Sequence, residues 1–248
     1  MFKINQMNLN KFFKNAVGIL LIYGLAGLAA PSAWSLTYRV PSRGNVVGEY
    51  KKIKAEEGDT LLDIAQRYDI GMYEIMRANP RLVHHHLRAG TTVIIPSEFV
   101  LPSGPRNGIV LNVAEMRVFA YHPDEGLVST YPVGIGRQGW STPLGTTQIV
   151  SKEPHPAWHP PASIRAEAAR KGKTLPMVVP AGPHNPLGQY AMHLGFKGIL
   201  MHGTNAPSSI GLRSSHGCIR LFANDIEELY SMSPIGTSVR VVYEPHGD

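Results

Sequence analysis

Apolar residues recur along this chain with two different periods, and the change from one to the other divides it. Leu61, Ile64, Ala65 and Tyr68 fall at i, i+3, i+4 and i+7, the spacing of one helical face. Thr60, with Asp63 three residues on, supplies a capping-box start for that helix. A second helix is predicted from about Met72 to Ala78. Asn79-Pro80 ends it, because proline disfavours the helical conformation of the residue before it. Extended segments flank the pair, Tyr50 to Lys54 before it and Thr91 to Pro96 after it, so residues 49–97 read as strand, helix, helix, strand.

Leu101-Pro102-Ser103-Gly104-Pro105-Arg106 then reads as a stiff linker within residues 98–107, and beyond it the period becomes two. Met116, Val118 and Ala120 share one face of a strand predicted over Glu115 to Tyr121. Further strands are expected at Gly108 to Asn112, Leu127 to Val133, Gly145 to Ser151, Tyr190 to Leu194, Gly198 to Met201 and Ser238 to Tyr243. Helices interrupt them near Ser163 to Lys171 and near Asp225 to Ser231, the second with Asn224 as a cap and Glu227 three residues on. Short strands broken by glycine and proline make residues 108–243 a mainly β, sandwich-like or barrel-like region with few helices, and residues 244–248 a tail. There is no internal repeat and no low-complexity tract.

The first 35 residues follow neither period. Lys3, Lys11 and Lys14 precede an unbroken run of apolar and small residues from Ala16 to Ala30, and Ala33-Trp34-Ser35 has the small-x-small form of a cleavage site. Residues 1–35 are therefore expected to be a signal peptide, cut before Leu36, and residues 36–48 an N-terminal segment. The run is shorter than the roughly 20 apolar residues of a membrane-spanning helix, so no stable span is expected after cleavage. Composition fits an exported globular protein: 43% hydrophobic and 17% charged over 248 residues. Without the signal the balance is 21 basic against 18 acidic side chains, interspersed rather than clustered. That mild excess suits an anionic polymer such as a cell wall. With no accompanying motif it does not indicate nucleic acid.

Cys218 is the only cysteine, so no internal disulfide can form although exported compartments are oxidising. A lone cysteine is usually a small buried hydrophobe. Its neighbours argue otherwise. Ile199-Leu200-Met201-His202-Gly203-Thr204 and Gly211-Leu212-Arg213-Ser214-Ser215-His216-Gly217-Cys218-Ile219-Arg220-Leu221 set two histidines and two glycines around the thiol. A thiolate attacks carbonyls far better than a thiol, and histidine is the natural base for it. Glycine beside a nucleophile lets backbone N–H groups face a developing oxyanion. The remaining histidines carry less: His84-His85-His86 reads as a solvated loop, His155 and His159 as loop residues around Pro156-Ala157-Trp158. His193 reads equally as a cleft residue or a structural one.

Two resemblances add to this reading. Gly58-Asp59-Thr60-Leu61, Ile64-Ala65-Gln66-Arg67-Tyr68, Ala78-Asn79-Pro80 and Leu87-Arg88-Ala89-Gly90-Thr91-Thr92-Val93-Ile94-Ile95-Pro96 resemble a LysM domain, which implies binding of N-acetylglucosamine-containing glycan by residues 49–97; a structural spacer is the alternative. Ser215-His216-Gly217-Cys218-Ile219-Arg220 with His202-Gly203-Thr204 resembles the signature of the YkuD-type L,D-transpeptidases, more closely the periplasmic ErfK/YbiS/YcfS/YnhG group. That group shares the Ser141-Thr142-Pro143-Leu144-Gly145 turn and the stretch Val178 to Gly188.

The resemblance implies a YkuD-type β-sandwich-like catalytic domain over residues 108–243. It makes Cys218 the nucleophile, His202 the general base and then acid, and Gly203 the carbonyl that orients the His202 ring. Gly217 and Cys218 would be oxyanion donors and His216 a further motif residue. Ser215 and Arg220 are expected to bind substrate, Arg220 by holding a carboxylate or instead by pinning the loop. The implied reaction is thioester formation on a peptidoglycan tetrapeptide stem with release of D-alanine, then transfer to a diaminopimelate amine or to the lysine of an outer-membrane lipoprotein, in the periplasm. The same residues resolved by water would make a carboxypeptidase or a lipoprotein-releasing amidase, and a degenerate site would leave a non-catalytic wall-binding protein. No metal or other cofactor is implied. Ser-x-x-Lys, Gly-x-Ser-x-Gly and His-Glu-x-x-His are all missing, which sets aside serine D,D-transpeptidases, α/β-hydrolases and zinc peptidases.

Overall fold

A computed structural model describes residues 36–82 and 86–246; the expected signal peptide, together with His84 and His85, lies outside the described residues. Strands β1 (Leu36–Arg39) and β2 (Val46–Lys54) lead into helices α1 (Leu61–Arg67) and α2 (Met72–Ala78). The capping box forms as its residues dictate: Thr60 Oγ1 accepts from the Asp63 amide at 3.2 Å while Asp63 Oδ2 accepts from the Thr60 amide at 2.9 Å. Asn79 ends α2 and its amide bridges the Ile75 and Ile94 carbonyls, each at 2.8 Å, tying the helix to β3 (Thr92–Val100). β2 and β3 pair antiparallel along their whole length, from Val46 opposite Val100 to Lys54 opposite Thr92. The strand thus continues through Glu98, Phe99 and Val100, residues expected in the linker.

The rest is mainly β. β4 (Ile109–Asn112), β5 (Arg117–His122), β6 (Leu127–Pro132), β7 (Ile135–Gly136) and β8 (Gly145–Pro154) come first, followed by helix α3 (Ala162–Arg170). Then come β9 (Tyr190–Leu194), β10 (Leu200–His202), a 3-10 turn at Pro207–Ser209, β11 (Arg213–Ser215), β12 (Ile219–Arg220), helix α4 (Ala223–Met232) and β13 (Ser238–Val242). Nine strands form one sheet in the order β1-β6-β5-β4-β13-β8-β9-β10-β12. Side chains from its middle and far end, among them Ile109, Val118, Ile149, Met201, Ile219 and Val239, bury into one cluster with Ile226 and Leu229 of α4. The sheet must curl to bring them together. The cap of α4 lies two residues before the expected one: Phe222 occupies the N-cap position, and Asn224 lies inside the helix.

Alternation along β5 separates two cores. Val118 and Ala120 enter the cluster under α4, whereas Phe119 and Tyr121, with Val110 of β4 and Val128 of β6, join Leu61, Ile64, Ile70, Ile75, Val93 and Ile95 of the strand-helix-helix-strand unit. Both faces of β5 are covered because that unit is docked on the back of the large sheet. Leu101, expected in an exposed linker, is 1% exposed within this second core. The segment expected merely to lead in also joins the sheet, Leu36 to Arg39 of β1 pairing with Thr130 to Leu127 of β6.

Polar contacts seal the junction. Arg117, a charge in a strand, is buried with its guanidinium bonded to both carboxylate oxygens of Glu74 at 3.2 and 2.8 Å, to the Asp69 carbonyl at 3.1 Å and to Thr130 Oγ1 at 3.2 Å. It also lies 3.9 Å over the Phe99 ring. Nearby the Met72 amide donates to the Ile210 carbonyl at 2.9 Å between two glycines. A Cβ on Gly211, whose φ is +79°, would lie 2.5 Å from the Met72 nitrogen, and one on Gly71 would lie 2.9 Å from Gly211 Cα.

Candidate active site

β10 and β12 run parallel, with Met201 opposite Ile219 and His202 opposite Arg220. Cys218 immediately precedes β12, so register brings it level with Leu200. Side chains alternate along a strand, so Leu200, His202, Cys218 and Arg220 belong to one side of the pair. The sequence motifs, sixteen residues apart, are thereby joined by two short strands.

The nucleophile loop is held by its own side chains. Ser215 Oγ donates to the Cys218 carbonyl at 2.6 Å and accepts from the Gly217 amide at 3.2 Å. Thr142 Oγ1 donates to the Gly217 carbonyl at 2.9 Å and accepts from the Gly136 amide at 3.1 Å. Gly217 has φ +105°, and a Cβ there would lie 3.0 Å from Ile199 Cδ1, so glycine is required. Two expectations change. Ser215, expected to bind substrate, is 1% exposed and spends its hydroxyl inside the loop. Gly217, expected to offer its N–H to an oxyanion, has given it to Ser215.

His202 is buried, and Nδ1 of its ring meets the Gly203 carbonyl at 2.5 Å. Gly203 can place that carbonyl because Gly188, at φ +68°, passes closely: a Cβ on Gly188 would lie 2.9 Å from Gly203 Cα. Burial pulls the His202 pKa down to about 4; the Gly203 and Leu187 backbone bonds oppose this and the Arg220 charge adds to it. Burial pushes the Cys218 thiol up, while a Leu200 backbone hydrogen bond and the Arg220 charge favour the thiolate. Burial therefore disfavours the charged form of each group. Cys218 Sγ contacts the Gly198 carbonyl at 3.6 Å. Arg220 reaches Ser214 Oγ at 3.3 Å, which favours the loop-pinning reading of this residue, and its own pKa is lowered by burial.

His216 turns to a different set of partners. Its Nε2 lies 2.8 Å from Glu167 Oε2 and 3.1 Å from Arg137, and Trp140 packs edge-on to its ring at 5.0 Å. Arg137 bonds the same Glu167 oxygen at 2.6 Å and Lys171 bonds the other at 2.6 Å. These donors, Lys171 foremost, hold the Glu167 carboxyl well below the usual carboxylate range. A carboxylate only accepts, so Nε2 of His216 carries the proton toward it. Sequence reasoning missed Glu167, Arg137 and the role of Thr142. Glu167 lies 49 residues from His216, with no local pattern to link them.

The other histidines stand outside this constellation. His193 on β9 is half-exposed, 3.9 Å from Glu153. His155, in a turn at φ +49°, lines a cavity of about 310 Å³ that opens beside Gly203 and Thr204. His86 meets the Gly58 carbonyl at 2.8 Å. Among the described residues no three metal-ligating side chains come together, and no helix is long and apolar enough to cross a membrane.

Comparison with known proteins matches this arrangement. The L,D-transpeptidase catalytic domain, YkuD, matches residues 106–241, and the LysM domain matches residues 53–96. The chain is 41% identical over 226 residues to the "Probable L,D-transpeptidase YcfS" of Escherichia coli K12, covering 89% of this chain and 70% of that protein. It is 41% identical over 218 residues to the "Probable L,D-transpeptidase YbiS" of the same strain, covering 86% and 71%. Among solved structures, an L,D-transpeptidase from Mycobacterium smegmatis superposes with a TM-score of 0.43 at 19% identity, over 62% of this chain and 63% of that one.

Proposed function

Since the chain belongs to the L,D-transpeptidase (YkuD) family and carries a LysM domain ahead of the catalytic one, we propose that it acts in the periplasm on peptidoglycan tetrapeptide stems through a Cys218 thioester. One observation carries the assignment of roles: His202, oriented by the Gly203 carbonyl, lies on the same side of paired strands as Cys218.

Burial disfavours the charged form of each group, so in this reading proton transfer accompanies attack instead of preceding it. Sγ bonds to the carbonyl carbon of the third stem residue as His202 takes the thiol proton. The Cys218 N–H faces the oxyanion. Collapse breaks the C–N bond to D-alanine, whose amine leaves with the proton from His202. In the second half an acceptor amine attacks the thioester, His202 takes its proton, and the thiol is restored as the new amide forms. A carbonyl in place of a carboxylate beside His202 orients the ring without adding a negative charge that would stabilise the imidazolium.

The acceptor is the finer part of the reading: a diaminopimelate amine, giving a cross-link, or the lysine of an outer-membrane lipoprotein. Mass spectrometry of muropeptides incubated with the enzyme tests it. A 3-3 linked dimer with free D-alanine is expected. Stem shortening without any new amide would assign water as acceptor, and intact stems would remove the reading altogether.

A further inference from the structure

Lys171, Arg137 and His216 converge on one carboxylate, and it comes from an arm that is weakly seated. The arm spans residues 155–188, between β8 and β9. Its neck is fastened by the Trp158–Val179 pairing and by the Asn185 amide, which bonds the Pro156 carbonyl at 2.8 Å. Helix α3, which carries Glu167, buries none of its side chains. Its hold on the nucleophile loop is the Glu167 carboxylate. The receiving side is fixed: the Arg137 amide donates to the Ser215 carbonyl at 3.1 Å, and His216 stands two residues before Cys218.

We propose that Arg137 and His216 form the receptor for a carboxylate of the stem-peptide substrate, which Glu167 fills in the free enzyme as an exchangeable stand-in. The proposal rests on the stem-peptide reading of this cleft. Arg137 and His216 remain 31% and 22% exposed, so an incoming group can reach them. A guanidinium beside an imidazole N–H presents parallel donors to one planar acceptor, the geometry that recognises carboxylates. Exchange conserves charge, one carboxylate leaving as another arrives. Glu167 is not stranded when it leaves, because Lys171, four residues along the same helix, keeps its other oxygen at 2.6 Å. Trp140, edge-on to His216, walls the receptor on one side.

The full mature chain would be assayed with a soluble tetrapeptide stem and with two amidated forms, one blocked at the C-terminal carboxylate and one at the side-chain carboxylate of the third residue. Arg137→Ala should raise KM at least tenfold for the free acid and for one amide, and leave KM unchanged for the other, which identifies the carboxylate that is read. Arg137→Lys, which keeps charge but loses the fork, should fall between. Glu167→Gln should act in the opposite sense and lower KM for the free acid about threefold, since it weakens the competitor. Quenching of Trp140 fluorescence by N-acetyl-D-alanine, but not by its amide, is the companion measurement for the C-terminal carboxylate. A Glu167→Gln enzyme with reduced kcat and unchanged KM would make Glu167 a structural tether and overturn the proposal, as would an Arg137→Ala enzyme whose KM rises equally for all three peptides. Wild-type enzyme that turns over no stem peptide would sink the stem-peptide reading alone; tryptophan quenching by the free-acid peptide, lost in whichever amide blocks the carboxylate that is read, would still uphold carboxylate binding, and its absence would end both.

Discussion

Arg117 and Arg137 each hold a glutamate from elsewhere in the chain, and they do opposite jobs. At the junction between the LysM unit and the large sheet, Arg117 is 1% exposed and its donors are taken by Glu74, Asp69 and Thr130. At the cleft, Arg137 is 31% exposed and shares Glu167 with His216 and Lys171. The chemistry is the same, and the two glutamates are about equally covered, Glu74 at 20% and Glu167 at 15% exposed; what differs is the access of solvent to the arginine. A buried pair has no replacement for its partner, so breaking it strands a charge and costs about 3–5 kcal/mol. An open pair is worth about 0–1 kcal/mol, because water and other ions compete for both members. One arginine is therefore part of the fold, and the other is available to a ligand.

The contrast is broken most severely at the cleft. Cys218→Ser should lower turnover by about a thousandfold or more, because a hydroxyl is far less ionised than a thiol, while the unfolding midpoint stays put. A large fall in stability would mean that the thiol is structural. At the junction the signs reverse: Arg117→Met should cost about 3–5 kcal/mol in urea unfolding, and adding Glu74→Gln should recover part of it by removing the stranded charge. A loss below about 1 kcal/mol would put this pair in the class of the open one.

Protonation separates the two regions next. Asp69 and Asp225, both buried at the junction, have raised pKa values, Asp69 to about 6 and Asp225 well above its usual 3.8, chiefly by burial and for Asp225 next by the Asp69 charge, with Arg117 opposing and Glu228 adding. Their contribution is full below the unfolded value and is lost as pH rises through the folded values. His202 does the reverse: its folded pKa of about 4 is depressed, so its contribution is present above the unfolded value and lost as pH falls toward 4. Over about pH 4 to 6 the His202 rise and the Asp69 fall offset each other while Asp225 adds a fall of its own, so the net contribution of these three groups should decline as pH rises from 4. Asp225→Asn should flatten that decline, as chemical denaturation from pH 4 to 8 would record. An unchanged slope would remove the carboxyl pair as its source.

The smallest effect tests whether the regions unfold together. Thr60→Ala removes the α1 cap and should cost about 1 kcal/mol. Because Val110, Phe119 and Val128 of the large sheet sit in the same core as Leu61 and Ile64, that loss should move a single transition of the whole chain. Two transitions, only one of them shifted, would show the LysM unit to be independent.

Much of this was legible in the sequence because it is local. Both LysM helices follow from spacing and stop signals, and the His202 and Cys218 motifs are contiguous runs. The shortest strands, β7 and β12 with two residues each, are too brief to show a period. Arg117 and Phe119 fall on the face opposite Met116, Val118 and Ala120, and nothing in a strand's own pattern tells that another unit will cover that side. Asn224 carried a capping signal, yet the cap of α4 is Phe222, which is buried. Leu101-Pro102 had linker composition although both residues are buried. Glu167 is the hardest case: an exposed-looking acid on a polar helix becomes a site residue only through contacts with residues 30 and 49 positions away.

The close passage of Gly71 and Gly211, with the Met72 amide clasped to Ile210 between them, leaves no slack between the wall-binding unit and the enzyme. A tethered binder searches a volume set by the length of its leash and tolerates any arrangement within reach. This body has no leash. A peptidoglycan mesh offers strands and stems at intervals of its own, and a rigid holder can grip one feature while reacting at another only where the mesh presents both at the holder's own separation. With the proposed substrate, the junction would make the protein a gauge of wall geometry, selecting where along the polymer a stem can be taken up.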